Sequence, residues 1–194
     1  MRKIGKVHTS SLTVDASGFV SGARFVPSPN FDDRPERASI DLLVIHNISL
    51  PPGEFGGPGV VALFRNRLNP AEHAFYQTLQ DIKVSSHFFI RRDGELIQFV
   101  SCLKRAWHAG LSTWRGHERC NDFSIGVELE GTDDVAFTDR QYRTLGELTS
   151  ALTAAYPIQD VVGHSDITPG RKTDPGPCFD WERYRSNWRD LSSR

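Results

Sequence analysis

The chain has only three cysteines in 194 residues, Cys102, Cys120 and Cys178, and none is paired as C-x-x-C. An odd, widely spaced set does not make a disulfide framework and lacks the paired thiols of a structural zinc knuckle, so reduced thiols in a cytoplasmic protein are expected. Charge of one sign is also missing: 23 Lys and Arg against 24 Asp and Glu leave a formal net charge of -1. That balance gives no global field to gather nucleic acid or an anionic membrane, and neither is expected as a partner. Recognition of a charged ligand must therefore be local. No stretch approaches the roughly 18 apolar residues of a spanning helix. The opening "MRKIGKVHTSSLTVDASG" has basic residues but no apolar segment of a secretory signal behind them. Repeats and low-complexity segments are absent as well, which leaves one globular domain long enough to bury its own core.

Ser, Gly and Pro dominate residues 1–37, including "VPSPNFDDRPE", so a loosely structured lead-in that wraps the domain is expected. Residues 1–24 are assigned to this extension and 25–194 to the domain. In "LLVIHN", residues 42–47, four consecutive apolar residues predict a strand buried on both faces, with His46 at its C-terminal end. Val60, Leu63, Phe64 and Leu68 predict a helix over 58–68, and Asp93-Gly94 between two apolar runs predicts a hairpin. "FSIGVELEG", residues 123–131, alternates: Phe123, Ile125, Val127 and Leu129 on one face, and Ser124, Gly126, Glu128 and Glu130 on the other. Thr138 and Gln141 form a capping-box pattern ahead of an apolar stripe from Tyr142 to Tyr156, which predicts the longest helix over 139–156. A short strand "DVVGH" follows. Last comes a helix capped by Asp180 and carrying Trp181, Tyr184, Trp188 and Leu191, expected to cover the sheet. The predicted class is α/β, a single domain with a central mixed β-sheet flanked by α-helices.

His46 and His164 both stand where a predicted strand runs into a Gly/Pro-rich loop, and Asp174 follows in the loop after His164. Two imidazoles and a carboxylate match a catalytic zinc site, which keeps its fourth position open. Spacing alone does not select them. There is no H-E-x-x-H signature, and His87 and His108 are rivals, whereas His8, His73 and His117 read as solvent-exposed. Glu128 could accept a proton from an attacking water, with Glu130 as its same-face competitor. Lys172, two residues before Asp174, could stabilise an oxyanion. Each also has an ordinary reading: a hydrogen-bonded core histidine, an acid on a solvated strand face, a surface lysine.

The segments "VIHNISLPPGEFGG", "IRRDGELIQFV", "RAWHAG", "RCNDFSIGVELEGTD" and "GHSDITPGRKTDPGP" closely resemble the AmpD family. These are zinc-dependent N-acetylmuramoyl-L-alanine amidases acting on 1,6-anhydro-muropeptides in the bacterial cytoplasm. The resemblance implies the fold shared with T7-type lysozyme amidases and peptidoglycan recognition proteins. It places zinc ligands at His46, His164 and Asp174, a catalytic glutamate at Glu128 and a catalytic lysine at Lys172. Substrate contacts are implied for Asn47 and Arg119, the latter with a stem-peptide carboxylate. A cytoplasmic, monomeric recycling enzyme with a muropeptide substrate is the expectation. Lys83 stands where some members carry arginine. Two other readings stay open: a binding module that holds peptidoglycan without cutting it, and an amidase acting on intact cell-wall polymer outside the cytoplasm. The full set of ligands and catalytic residues speaks against the first, and the missing signal against the second.

Overall fold

The structure is a computed structural model that describes residues 12–192. Ten strands form in chain order: β1 (Arg24–Phe25), β2 (Phe31–Asp33), β3 (Leu42–Ile48), β4 (Phe88–Ile90), β5 (Leu96–Gln98), β6 (Lys104–Ala106), β7 (Thr113–Trp114), β8 (His117–Glu118), β9 (Ser124–Glu130) and β10 (Asp160–Gly163). Helices are α1 (Gly59–Phe64), α2 (Ala74–Gln77), α3 (Asp139–Ala155), α4 (His164–Ile167) and α5 (Trp181–Ser192). The main sheet has six strands in the order β1-β5-β4-β9-β3-β10, mixed because only the β4–β5 pair, closed by Asp93-Gly94, is antiparallel.

The alternation of β3 and β9 divides the core in two. Leu43, Ile45, Ile125, Val127 and Leu129 point to one face, where they join Tyr142, Leu145, Leu148 and Leu152 of α3. Each such fully buried aliphatic side chain contributes about 1.5–3 kcal/mol. Thr138 Oγ1 accepts from the Gln141 amide and the Thr138 amide donates to Gln141 Oε1, which fixes the start of α3. Helix α5 packs on α3 through Tyr184, whose hydroxyl lies 2.9 Å from Thr149 Oγ1. Asp180 Oδ1 accepts from the Arg183 amide at 2.9 Å, as the N-cap reading expects. The side chain of Leu191, and His8, lie outside the described residues.

Three expectations are corrected. The polar row of β9, Ser124, Gly126, Glu128 and Glu130, is buried rather than a solvated face: the His108 ring packs over Gly126 and reaches Ser124 Oγ, and the Gly56 and Arg92 amides close on Glu130. Helix α1 stops at Phe64: Asn66 adopts φ 56, and its side-chain amide pairs with Asn30 at 2.9 Å. The lead-in, from Leu12 on, is ordered rather than loose. Val20 donates to Gln98 Oε1 at 2.8 Å, β1 extends the sheet edge, and the Arg34 guanidinium donates to the carbonyls of Cys102, Asn121, Asp122 and Ser124. Cys102, Cys120 and Cys178 are free thiols.

Candidate metal centre

In the parallel β3–β9 pair, His46 lies directly beside Glu128, so both side chains leave the same face of the sheet. His164 opens α4, immediately after β10, which pairs with the other edge of β3. The loop after α4 returns to this place. The Ser165 amide donates to the Asp174 carbonyl at 2.9 Å, and a Cβ on Gly163 would stand 2.7 Å from Pro175 Cδ, so a glycine is needed for this approach. Asn47 holds the loop from the other side by donating Nδ2 to Pro175 O at 3.0 Å and to Asp133 Oδ1 at 2.7 Å.

His46, His164 and Asp174, distant in sequence, thus meet. Among the described residues they form a group able to hold a metal, with one ligand atom from each and all within 4.8 Å of one another. Asp174 Oδ2 is 3.1 Å from His46 Nδ1 and 3.0 Å from His164 Nδ1. Proton placement shows what these contacts are. His164 Nε2 lies 3.2 Å from Ala109 O, which can only accept, so a neutral ring carries its proton there and presents a bare lone pair at Nδ1. That lone pair faces a carboxylate oxygen that is itself an acceptor. A single proton on His46 Nδ1 satisfies one of the two contacts and leaves the other acceptor against acceptor. A cation between the three atoms satisfies both, and the donor set of two imidazoles and one carboxylate suits a metal with an open position.

Ionisation agrees with this. Burial pulls His46 down to about 4, against the hydrogen bond to Asp174, so its ring is neutral at neutral pH. Burial pushes Asp174 up, but the hydrogen bonds with His164 and His46 outweigh it and hold the carboxyl below the usual range, as an anion. Glu128 is raised well above the carboxylate range, first by burial and then by the charge of Asp174, with Lys172 opposing.

The two acids of β9 are now distinguishable. Glu130 is fully engaged: Oε1 accepts from the Gly56 amide at 2.6 Å, Oε2 from the Arg92 amide at 2.9 Å, and Arg91 Nη1 stands 3.7 Å away. It pins the loop that follows β3. Glu128 Oε2 is buried with no hydrogen-bond partner among the described residues. An unpartnered buried carboxylate oxygen costs about 1–3 kcal/mol, an expense that a reactive position explains and a structural one does not. Lys172 is exposed, and its ammonium has no ion pair among the described residues. It lines a groove of about 430 Å³ together with Asp174, Asn47, Leu63, Phe75 and Leu79.

Arg119 is farther out. Its backbone is left-handed at φ 61, its side chain is 68% exposed and stands 3.2 Å from Asp122, and it borders a second groove of about 460 Å³. Arg171 lines both grooves and donates to the carbonyls of Ala109 and Leu111, which makes it the ridge between them. Asp166 accepts from the Gly163 amide at 2.7 Å and serves the turn. A further cavity, about 820 Å³, lies at the opposite end of the strands among Asp41, Trp114, Gln159 and Asp160, and is lined by neither the three metal-binding candidates nor Glu128 or Lys172.

Neither rival histidine enters the cluster. His87 Nδ1 accepts from the Gly126 amide at 3.0 Å and Nε2 donates to Lys104 O at 3.0 Å, so both of its nitrogens serve the backbone. His108 lies behind His46, with Nδ1 at 2.9 Å from His46 Nε2 and Nε2 at 3.2 Å from Ser124 Oγ. This support was missed in the sequence. Its one local trace is Gly126 inside a strand, where a Cβ would stand 2.5 Å from the His108 ring; an interior strand glycine marks a close approach.

With this geometry in view, comparison with known proteins is informative. The N-acetylmuramoyl-L-alanine amidase family model matches residues 36–177. The 1,6-anhydro-N-acetylmuramyl-L-alanine amidase AmpD of Escherichia coli (strain K12) is 56% identical over 170 residues, 87% of this chain and 93% of that protein. The crystal structure of an AmpD derivative overlays with TM-score 0.87 at 54% identity, over 90% of this chain and 98% of the other. AmiD from E. coli, solved in complex with anhydro-N-acetylmuramic acid-L-Ala-D-gamma-Glu-L-Lys, overlays with TM-score 0.57 at 29% identity, over 91% of this chain and 65% of that one.

Proposed function

The chain belongs to the N-acetylmuramoyl-L-alanine amidase family, and from that premise we propose that it is a zinc enzyme that cuts the amide between 1,6-anhydro-N-acetylmuramic acid and L-alanine, in cytoplasmic muropeptide recycling. The observation that carries the reading is the convergence of three metal-binding atoms beside one buried, unpartnered carboxyl. His46, His164 and Asp174 would hold Zn²⁺. When bound, the ion supplies Lewis acidity at the scissile carbonyl and makes water acidic enough to attack near neutral pH.

The protein's own groups do the rest. Glu128, beside His46 in the register, takes the proton of the attacking water at its unpartnered oxygen and delivers it to the leaving amine of L-alanine. Burial and the charge of Asp174 push its carboxyl up toward the neutral form; a divalent cation nearby would favour the ionised form needed for this role. Lys172, at the groove and without an ion pair among the described residues, would stabilise the charge that develops on the carbonyl oxygen. Asn47 has committed both amide hydrogens to the chain, so a substrate contact there runs through its Oδ1. Arg119, exposed at the second groove and held by Asp122 through Nε, has the rest of its guanidinium to offer a carboxylate of the stem peptide. The partner is then a single soluble muropeptide, and a monomer suffices because every named group comes from one chain.

Among the described residues no helix is long and apolar enough to cross a membrane. The test of substrate is to incubate the zinc form with an anhydro-muropeptide and, separately, with intact sacculi, and to identify released peptides by mass. Release from the anhydro-muropeptide is expected; release from sacculi alone would overturn the recycling assignment in favour of a polymer-cutting amidase.

A further inference from the structure

His108 takes no part in the reaction outlined above, yet it is buried against the metal cluster and touches one of its members edge-on, with the His46 and His108 ring centroids 5.0 Å apart. The hydrogen-bond chain Asp174–His46–His108–Ser124 can run in two senses. In the inward sense the Ser124 hydroxyl donates to His108 Nε2, His108 Nδ1 donates to His46 Nε2, and His46 Nδ1 carries a proton into the cluster. In the outward sense His46 Nε2–H donates to His108 Nδ1 and His108 Nε2–H donates to Ser124 Oγ, which leaves His46 Nδ1 as a lone pair aimed at the Asp174 oxygen. Only the outward sense is compatible with a metal at the cluster. A ligating imidazole commonly gives its other N–H to an acceptor that fixes its tautomer and ring orientation, as His164 does with Ala109 O.

We propose that His108 is a positioning residue for the metal centre: through Nδ1 it accepts the His46 Nε2 proton, and through Nε2 it anchors on Ser124, so that His46 offers Nδ1 to zinc in a fixed orientation. This rests on the zinc reading above. The fold makes room for it deliberately in one place, since any side chain at Gly126 would meet the His108 ring at 2.5 Å. The ring is thereby locked between β9 and His46, and with it the acceptor.

The test compares zinc affinity, by competition against a chromophoric chelator, in the native protein, His108→Leu and His108→Asn. Leucine fills much of the ring's space without an acceptor and is expected to weaken zinc about 10–100-fold. Asparagine places Oδ1 where Nδ1 stands and is expected to hold zinc close to the native level. Native affinity in His108→Leu would overturn the proposal. Equal losses in both variants, tracking an equal drop in thermal stability of the metal-free protein, would reduce His108 to packing and overturn it too. If His108→Leu does not fold, long-range ¹H–¹⁵N spectra of the native zinc form decide: a bare Nδ1 and a protonated Nε2 on His108 are expected, and a proton on Nδ1 refutes the chain. Failure of the native protein to bind zinc at all would instead sink the zinc reading, a separate and distinguishable result.

Discussion

Two isosteric substitutions two residues apart, Glu128→Gln and Glu130→Gln, should have opposite consequences. Glu130 accepts from two backbone amides, at 2.6 and 2.9 Å, with Arg91 close by. An amide in its place keeps one acceptor and turns an N–H toward the other donor. Losing one charge-assisted bond costs about 1.5–3 kcal/mol. At about 2–4 °C per kcal/mol for a domain of this size that lowers Tm by roughly 3–12 °C, and it frees the loop after His46. Because Glu130 touches no reacting atom, kcat should fall far less than Tm suggests. Glu128 has an oxygen without any partner, and burial already opposes its charge. Replacing it removes no hydrogen bond, so the metal-free protein should be as stable as native or more so. Sign and cause agree here: a carboxyl raised in the folded state is a burden once pH exceeds its unfolded value, and glutamine removes that burden. Zinc should remain bound, while kcat should drop about 10²–10⁴-fold with the loss of the general base. Calorimetry, zinc analysis and peptide-release kinetics on both variants give the comparison. Near-native turnover in Glu128→Gln, or a larger Tm loss there than in Glu130→Gln, would refute the division of roles.

Other outcomes follow from the same geometry. His46→Ala and Asp174→Ala should each lose stoichiometric zinc by elemental analysis, and a variant that retains it would show that the wrong ligand was named. Lys172→Ala should keep zinc and depress kcat with little change in KM; a change confined to KM would remove its oxyanion role. Burial pulls His87 to about 3, below its ordinary 6.5, with the Arg34 charge adding to the effect. The unfolded chain therefore takes up this proton first, and stability present above 6.5 should be lost as pH falls toward 3. For this one group the slope reaches about 1.4 kcal/mol per pH unit. Urea midpoints at several pH values should fall more steeply for the native protein than for His87→Gln, and parallel slopes would contradict it.

Much of the fold is legible because its signals are local. Four apolar residues before His46, the Asp93-Gly94 turn and the Thr138–Gln141 capping box each specify their element within a few residues, and each element stands where the pattern puts it. What was hidden depends on partners far along the chain. The alternation in β9 shows two faces but not that His108 returns to pack over the polar one at Gly126 and Ser124, nor that Glu128 is a buried acid rather than a surface one. Arg34 orders the lead-in by reaching carbonyls on the far side of the domain, and nothing in "FDDRPE" announces them. The early end of α1 is likewise set by the Asn66–Asn30 pair. The candidate site divides the same way. His46 and His164 stand at strand ends and Asp174 in the loop that follows, but only the family resemblance singles them out from His87 and His108, whereas the place of His108 appears only when "AWHAG" is laid against β9 over Gly126.

The proposed chemistry requires that His46, His164 and Asp174 hold a zinc ion with an open position. Zinc K-edge absorption of the purified protein loaded with one equivalent of zinc tests it most directly. The expected spectrum has two imidazole nitrogens and oxygen from a carboxylate and water, with no sulfur shell. A sulfur contribution, pointing to Cys102, Cys120 or Cys178, or a site closed by a third imidazole, would contradict it.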